Sequence, residues 1–142
     1  MSVESTENRI LDVLEHDAQA SHAEIAERAG VSKPTVRKYI NKLEAEGVIV
    51  GYSADVNPKK LTARSIAIVG IEVASERYVE ATRALEAIEE VDSLFSSSGD
   101  HMLMAEIRAP DGGALGEVIS EKVLAIEGVT AAHPSFLNER LK

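Results

Sequence analysis

Between Ser21 and Leu43 the chain has room for two short helices and a very tight corner. Ser21-His22-Ala23-Glu24 has the form of a capping box: the serine hydroxyl can accept from the backbone N–H three residues on, and the glutamate can reach back. A helix starting there turns Ile25, Ala26 and Ala29 to one side. It stops at Gly30, which tolerates the left-handed conformation of a helix end. Only Gly30 and Val31 lie between this helix and the next start signal. Ser32 is a second N-cap, and Pro34 falls in the first turn, where its missing N–H costs nothing. The spacing of Val36, Ile40 and Leu43 predicts one buried stripe on a helix running to about Glu46, closed by Gly47. Two helices around so short a corner form a helix-turn-helix, with the second presented outward.

Charge agrees with that geometry once it is read locally. The chain of 142 residues has a formal charge of −9, which by itself opposes binding to nucleic acid. Residues 1–63 carry eight Lys/Arg against ten Asp/Glu, whereas residues 64–142 carry seven against fourteen. From Arg28 to Leu43 there are five basic residues and no acidic one. Distribution matters more than the total. With Val36, Ile40 and Leu43 inward, Lys33, Pro34, Thr35, Arg37, Lys38, Asn41 and Lys42 face away or lie on the flanks. Arg pairs with guanine and Asn with adenine in the major groove, while Lys usually meets phosphate. Thr35, Arg37 and Asn41 are therefore the expected base readers, and Lys38 and Lys42 the expected phosphate contacts. Ser32 and the first helical N–H groups add an anion site. A solvated surface is the default for an isolated charged face, but these cations share one presentation helix without interspersed acids.

The remaining pattern divides the chain in two. A helix over Glu7–His16 carries Ile10, Leu11, Val13 and Leu14, and Val48–Val56 offers two short extended segments able to pair as a small wing. Residues 1–56 are thus expected to form a winged helix-turn-helix, and residues 57–63, polar and broken by Pro58, a linker. Residues 64–142 read as βαββαβ: a strand over Arg64–Val73, a helix marked by Tyr78, Thr82, Leu85 and Ile88, and strands Val91–Ser98 and His101–Ala109 around Gly99-Asp100. A helix marked by Leu115, Val118, Ile119, Val123 and Ile126 and a strand Val129–Leu137 complete it. The fold class is α+β, the second half a ferredoxin-like antiparallel sheet with both helices on one face. The first strand is apolar on both sides, Ala67, Val69 and Ile71 against Ile66 and Ile68, so the bare side predicts a cover by self-association.

Several chemistries have no residues to support them. Without cysteine there is no disulfide, thiol nucleophile or thiolate metal site. No phosphate loop, nucleophile elbow or paired-His zinc helix occurs, so no catalytic residue and no cofactor is assigned. No apolar run is long enough to span a bilayer, and the first residues lack a secretory pattern; the expected compartment is the cytoplasm. His16, His22, His101 and His133 are scattered without helical metal-site spacing, so satisfied or solvent-facing histidines are expected and no metal site is assigned; only the fold or a partner chain can gather them. The acidic surplus with few aromatics suits a surface working in concentrated salt.

The run from Ile10 to Leu61, and above all the phrase from Ser21 to Tyr52 with its "LEAEGVI" and "GY", resembles the DNA-binding half of Lrp/AsnC regulators. The resemblance extends through the βαββαβ half and so covers nearly the whole chain. It implies a DNA-binding transcriptional regulator acting on double-stranded DNA. It also implies a homodimer built on the C-terminal sheets, often assembled further into tetramers or octamers. An amino acid or related metabolite is implied near the subunit interface. In that family the effector loop runs Gly, an acidic or polar residue, an aromatic or His, then Asp. Here Gly99, Asp100 and His101 match, and Met102 replaces the last carboxylate. A desolvated ammonium needs a carboxylate or carbonyl partner, so the loop is open to two readings: Asp100 and His101 touch an effector, or the segment is only a β-turn. Two other functions share the scaffold. One is an architectural protein that wraps DNA with weak sequence preference. The other is a tetrapyrrole decarboxylase, for which His101, His133, Arg64 and Arg108 form a thin constellation.

Overall fold

The computed structural model describes residues 5–142 and divides the chain into two compact units, Met1–Asp55 and Val56–Lys142. The first four residues, part of the segment read as lacking a secretory pattern, lie outside the described residues.

In the first unit, α1 (Thr6–His16), α2 (His22–Ala29) and α3 (Lys33–Ala45) pack around Ile10, Val13, Ile25, Ala26, Ala29, Val36 and Ile40. Each start is fixed by a serine. Ser5 accepts from the Asn8 N–H at 3.2 Å. Ser21 accepts from the Glu24 N–H at 3.2 Å, while the Glu24 carboxylate accepts from the Ser21 N–H at 3.0 Å, completing the capping box. Gly30 ends α2 at φ +69°, and the Val31 N–H returns to the Ala26 carbonyl at 3.0 Å. The corner is therefore closed by its own backbone.

The wing differs from expectation: no strand forms between residues 48 and 57. The N–H groups of Val48 and Ile49 both return to the Leu43 carbonyl, at 2.9 and 3.1 Å, and the Tyr52 hydroxyl donates to Glu44 at 2.9 Å. The segment thus runs back along the end of α3 instead of folding on itself. An isolated two-stranded ribbon is marginal in water, and Val50 stands 95% exposed with nothing to pack against.

The second unit has the predicted order: β1 (Ser65–Val73), α4 (Tyr78–Glu86), β2 (Val91–Ser96), β3 (Leu103–Ala109), α5 (Gly112–Glu117) and β4 (Val129–Phe136). The sheet runs β2-β3-β1-β4, antiparallel throughout. On one face Val69 opposes Ala105 and Ile71 opposes Leu103, and these residues share a core with Ala81 and Leu85 of α4 and with Leu115, Val118, Ile119 and Val123. The last helix is not regular. After α5 the chain widens into a π turn over Val118–Val123, which keeps Leu115, Val118, Ile119 and Val123 buried together. Before the sheet, a 3-10 turn, Pro58–Lys60, is capped by Asn57, whose side-chain carbonyl accepts from the Lys59 and Arg140 N–H groups, each at 3.2 Å. Lys59 also reaches Glu139 at 3.4 Å. No helix is long and apolar enough to cross a membrane among the described residues.

Alternation along the strands puts Ile66, Ile68, Gly70 and Glu72 on the opposite face of the sheet. Their register builds a row across all four strands: Phe95, Met104, Gly70, His133. Phe95 is 63% exposed there.

Candidate DNA-reading face and effector loop

The presentation helix α3 is anchored on one side and bare on the other. Val36, Ile40 and Leu43 are buried, whereas Ser32, Lys33, Pro34, Arg37, Lys38, Asn41 and Lys42 are exposed and Thr35 is half-buried. At its start the Ser32 hydroxyl accepts from the Thr35 N–H at 3.3 Å and shares a hydrogen bond with the Thr35 hydroxyl at 2.8 Å. Thr35 is thereby occupied by Ser32. Ser21, His22 and Ala23 at the start of α2 line a shallow groove together with Lys33, Pro34, Arg37, Lys38 and Asn41. Five of the eight expected DNA-contacting residues thus border one concavity.

The cations are not equivalent. Among the described residues Lys33, Arg37 and Lys38 make no ion pair, but Lys42 Nζ lies 2.5 Å from a Glu7 carboxylate oxygen on α1. That hydrogen bond, and then the Glu7 charge itself, holds the Lys42 ammonium above its ordinary pKa. Lys42 is charged but already partnered. Its partner lies far away in sequence, which is why a count over Arg28–Leu43 overlooks it.

In the second unit the β2–β3 connection turns at Gly99, φ +135°. The Ser97 hydroxyl donates to the His101 carbonyl at 2.6 Å and the Ser97 N–H to the Met102 carbonyl at 2.9 Å, so the loop is closed. Asp100 is exposed, while the Met102 side chain packs against the core of the unit. His101 turns back over the sheet. Its Nδ1 lies 2.6 Å from a Glu72 carboxylate oxygen, and its ring stacks on His133 with centroids 4.9 Å apart and planes 25° apart. Gly70 lies beneath it: a Cβ there would run into the His101 ring. The structure therefore brings His101 together with two residues that sequence reasoning left apart, and leaves Asp100 outside the group. A signal was present in the strand, because a glycine inside a strand often marks a close approach.

The chain has recognisable relatives along its full length. Residues 4–50 match the family described as winged helix-turn-helix DNA-binding, and residues 66–142 the family described as the Lrp/AsnC ligand binding domain. It is 75% identical over 142 residues to the HTH-type transcriptional regulator LrpA1 of Halobacterium salinarum, covering 100% of both chains. It is 42% identical to the HTH-type transcriptional regulator LrpA of Pyrococcus abyssi, covering 99% of each. Among solved structures, a Neisseria meningitidis transcriptional regulator in complex with L-Met shares the fold at a TM-score of 0.71 and 22% identity, covering 99% of this chain and 93% of that one.

Proposed function

The chain belongs to the Lrp/AsnC family of DNA-binding transcriptional regulators, and on that basis we propose how its two units divide the work. The first unit reads DNA through α3. Arg37 and Asn41 contact base edges, Thr35 joins them once its hydroxyl turns from Ser32, and Lys38 meets phosphate. Lys33, Pro34 and the capped Ser32 border the backbone at the helix start, and Lys42 meets phosphate in exchange for Glu7. The observation that carries this reading is the exposed run of Lys33, Arg37 and Lys38, unpaired among the described residues and opposite a buried Val36–Ile40–Leu43 stripe. The family is one of transcriptional regulators, which sets aside the decarboxylase reading.

The second unit assembles the protein and senses an effector. A homodimer, or a higher oligomer built from it, covers the sheet face that carries Phe95, Met104 and Ile68. It thereby presents two copies of α3 to half-sites about one helical turn, ~34 Å, apart. The effector is an amino acid or a related small molecule held at Gly99–Met102, with the exposed Asp100 carboxylate facing an ammonium group. Support for the ligand class comes from the L-Met complex of the Neisseria regulator. The protein acts in the cytoplasm, where its operators are.

The test is genome-wide mapping of bound sites with and without added amino acids, L-Met among them. Two short symmetric half-sites whose occupancy changes with one amino acid are expected. Protection spread over many turns without a motif would instead indicate an architectural role, and occupancy indifferent to every amino acid would remove the effector assignment.

A further inference from the structure

Glu72, His101 and His133 come from three separate stretches of chain, yet their metal-ligating atoms all lie within 4.8 Å of one another. We propose that these three side chains form a binding site for a divalent transition-metal ion of the zinc type, on the sheet face opposite the helices.

The placement is set by the sheet. Gly70 pairs with His133 across β1 and β4, and Glu72 follows two residues on, so His133 and Glu72 lie on the same face one step apart. The β2–β3 turn delivers His101 between them, and the missing Cβ of Gly70 makes the seat on which the ring rests. The loop carbonyls of His101 and Met102 are both bonded to Ser97, which fixes the turn itself. Two of the three donors are half-buried and the third, His133, is exposed in the single chain.

The donor set decides the class of ion. Magnesium and calcium take oxygen ligands, whereas two imidazole nitrogens and one carboxylate suit zinc, cobalt, nickel or copper. Zinc–nitrogen and zinc–carboxylate bonds of about 2.0–2.2 Å bring tetrahedral ligand atoms to roughly 3.4 Å from each other. Reaching that spacing takes a small rotation of His133 and a slight opening of the His101–Glu72 contact. A carboxylate can only accept, so in the ion-free chain the proton in that contact sits on His101 Nδ1. When the ion binds, the neutral ring carries its proton on Nε2 instead, and Nδ1 and the Glu72 oxygen bracket the metal. Three protein ligands leave a coordination position for water or for a donor atom of a small molecule. The site shares His101 with the amino-acid reading of Gly99–Met102, but Glu72 and His133 lie outside that loop, so replacing either of them tests the metal site separately.

The experiment uses the full chain stripped of metal with a chelator, titrated with zinc by calorimetry and with cobalt(II) by visible absorption. Saturable binding is expected, with the strong d–d absorption of a low-coordinate cobalt site. Losing even an outer-shell partner costs roughly 10–100-fold in metal affinity, so His133→Ala and Glu72→Gln should each weaken binding by about tenfold or more. His133 is exposed, so its replacement leaves the fold intact by circular dichroism, and His16→Ala on α1 should bind as the parent does. Parent binding no tighter than that of His133→Ala, or an unaltered cobalt spectrum in Glu72→Gln, overturns the site.

Discussion

At the scale of single residues, α3 carries cations in two electrostatic states, and each state has its own signature. Arg37 and Lys38 are exposed and make no ion pair among the described residues, so they are free to meet DNA. Replacing both with Gln should weaken operator binding and lower the slope of log affinity against log salt by about 1 for each phosphate no longer neutralised. A gel-shift series across salt concentrations measures this: unchanged affinity removes both from the interface, and an unchanged slope removes Lys38 from phosphate contact. Lys42 predicts the opposite sign through its neighbour. With Glu7→Gln its ammonium is released from the 2.5 Å contact, so binding at low salt should tighten, and the gain should vanish at high salt as screening takes over. Equal affinity of parent and variant at low salt would show that Glu7 does not compete with DNA. These two tests separate a cation that waits for phosphate from one that must first leave a carboxylate.

At the scale of elements, the helical corner was legible and the histidine cluster on the sheet was not, for one physical reason. Caps are local: Ser21 and Glu24 are three residues apart, and Gly30 and Ser32 announce an end and a start within three positions. Their effect can be measured in the same local terms. Ser21→Ala should cost about 1 kcal/mol in urea unfolding. The His101 cluster instead depends on register: Gly70 opposite His133, then a turn that brings His101 back over β1. No spacing within a single segment encodes it, and four scattered histidines look inert until strands are aligned. The wing failed for a related reason, because pairing needs partners that alternation alone does not supply, and the Leu43 carbonyl captured the segment's first N–H groups. The π turn after α5 likewise leaves the buried set unchanged, so hydrophobic spacing could not distinguish it from a regular helix. A further pair ties the turn before β2 to the π turn: Lys122 lies 2.5 Å from Glu90, and this bond holds the Glu90 carboxyl below its ordinary value of 4.5. A depressed carboxyl stabilises the fold above its unfolded pKa and loses that contribution as pH falls through its folded value. Lys122→Met should therefore be less stable than the parent at neutral pH, with the gap closing in acid well below pH 4.5. Parallel urea titrations at the two pH values check the sign.

At the scale of the whole molecule, charge and exposed apolar surface make separate demands. A formal charge of −9 repels itself in dilute buffer. The melting temperature should rise from dilute buffer to molar salt, and a salt-independent melt would remove any adaptation to brine. The outer sheet face asks for a cover. Phe95, 63% exposed and paired across the strands with Met104, is the most telling residue, because contiguous exposed apolar surface marks an interface. Phe95→Asp should lower the mass measured by light scattering to that of a single chain, and an unchanged oligomer would move the interface elsewhere. One quieter contact has its own consequence. Asn57 accepts from Lys59 and from Arg140, and Lys59 reaches Glu139, so the first and last segments of the sheet unit are fastened to each other. A unit whose ends meet can be reopened at another loop and rejoined at the old seam by a short bridge. The order of its strands along the gene is thus a matter of history more than of mechanics, and a circularly permuted version should still close around the same core.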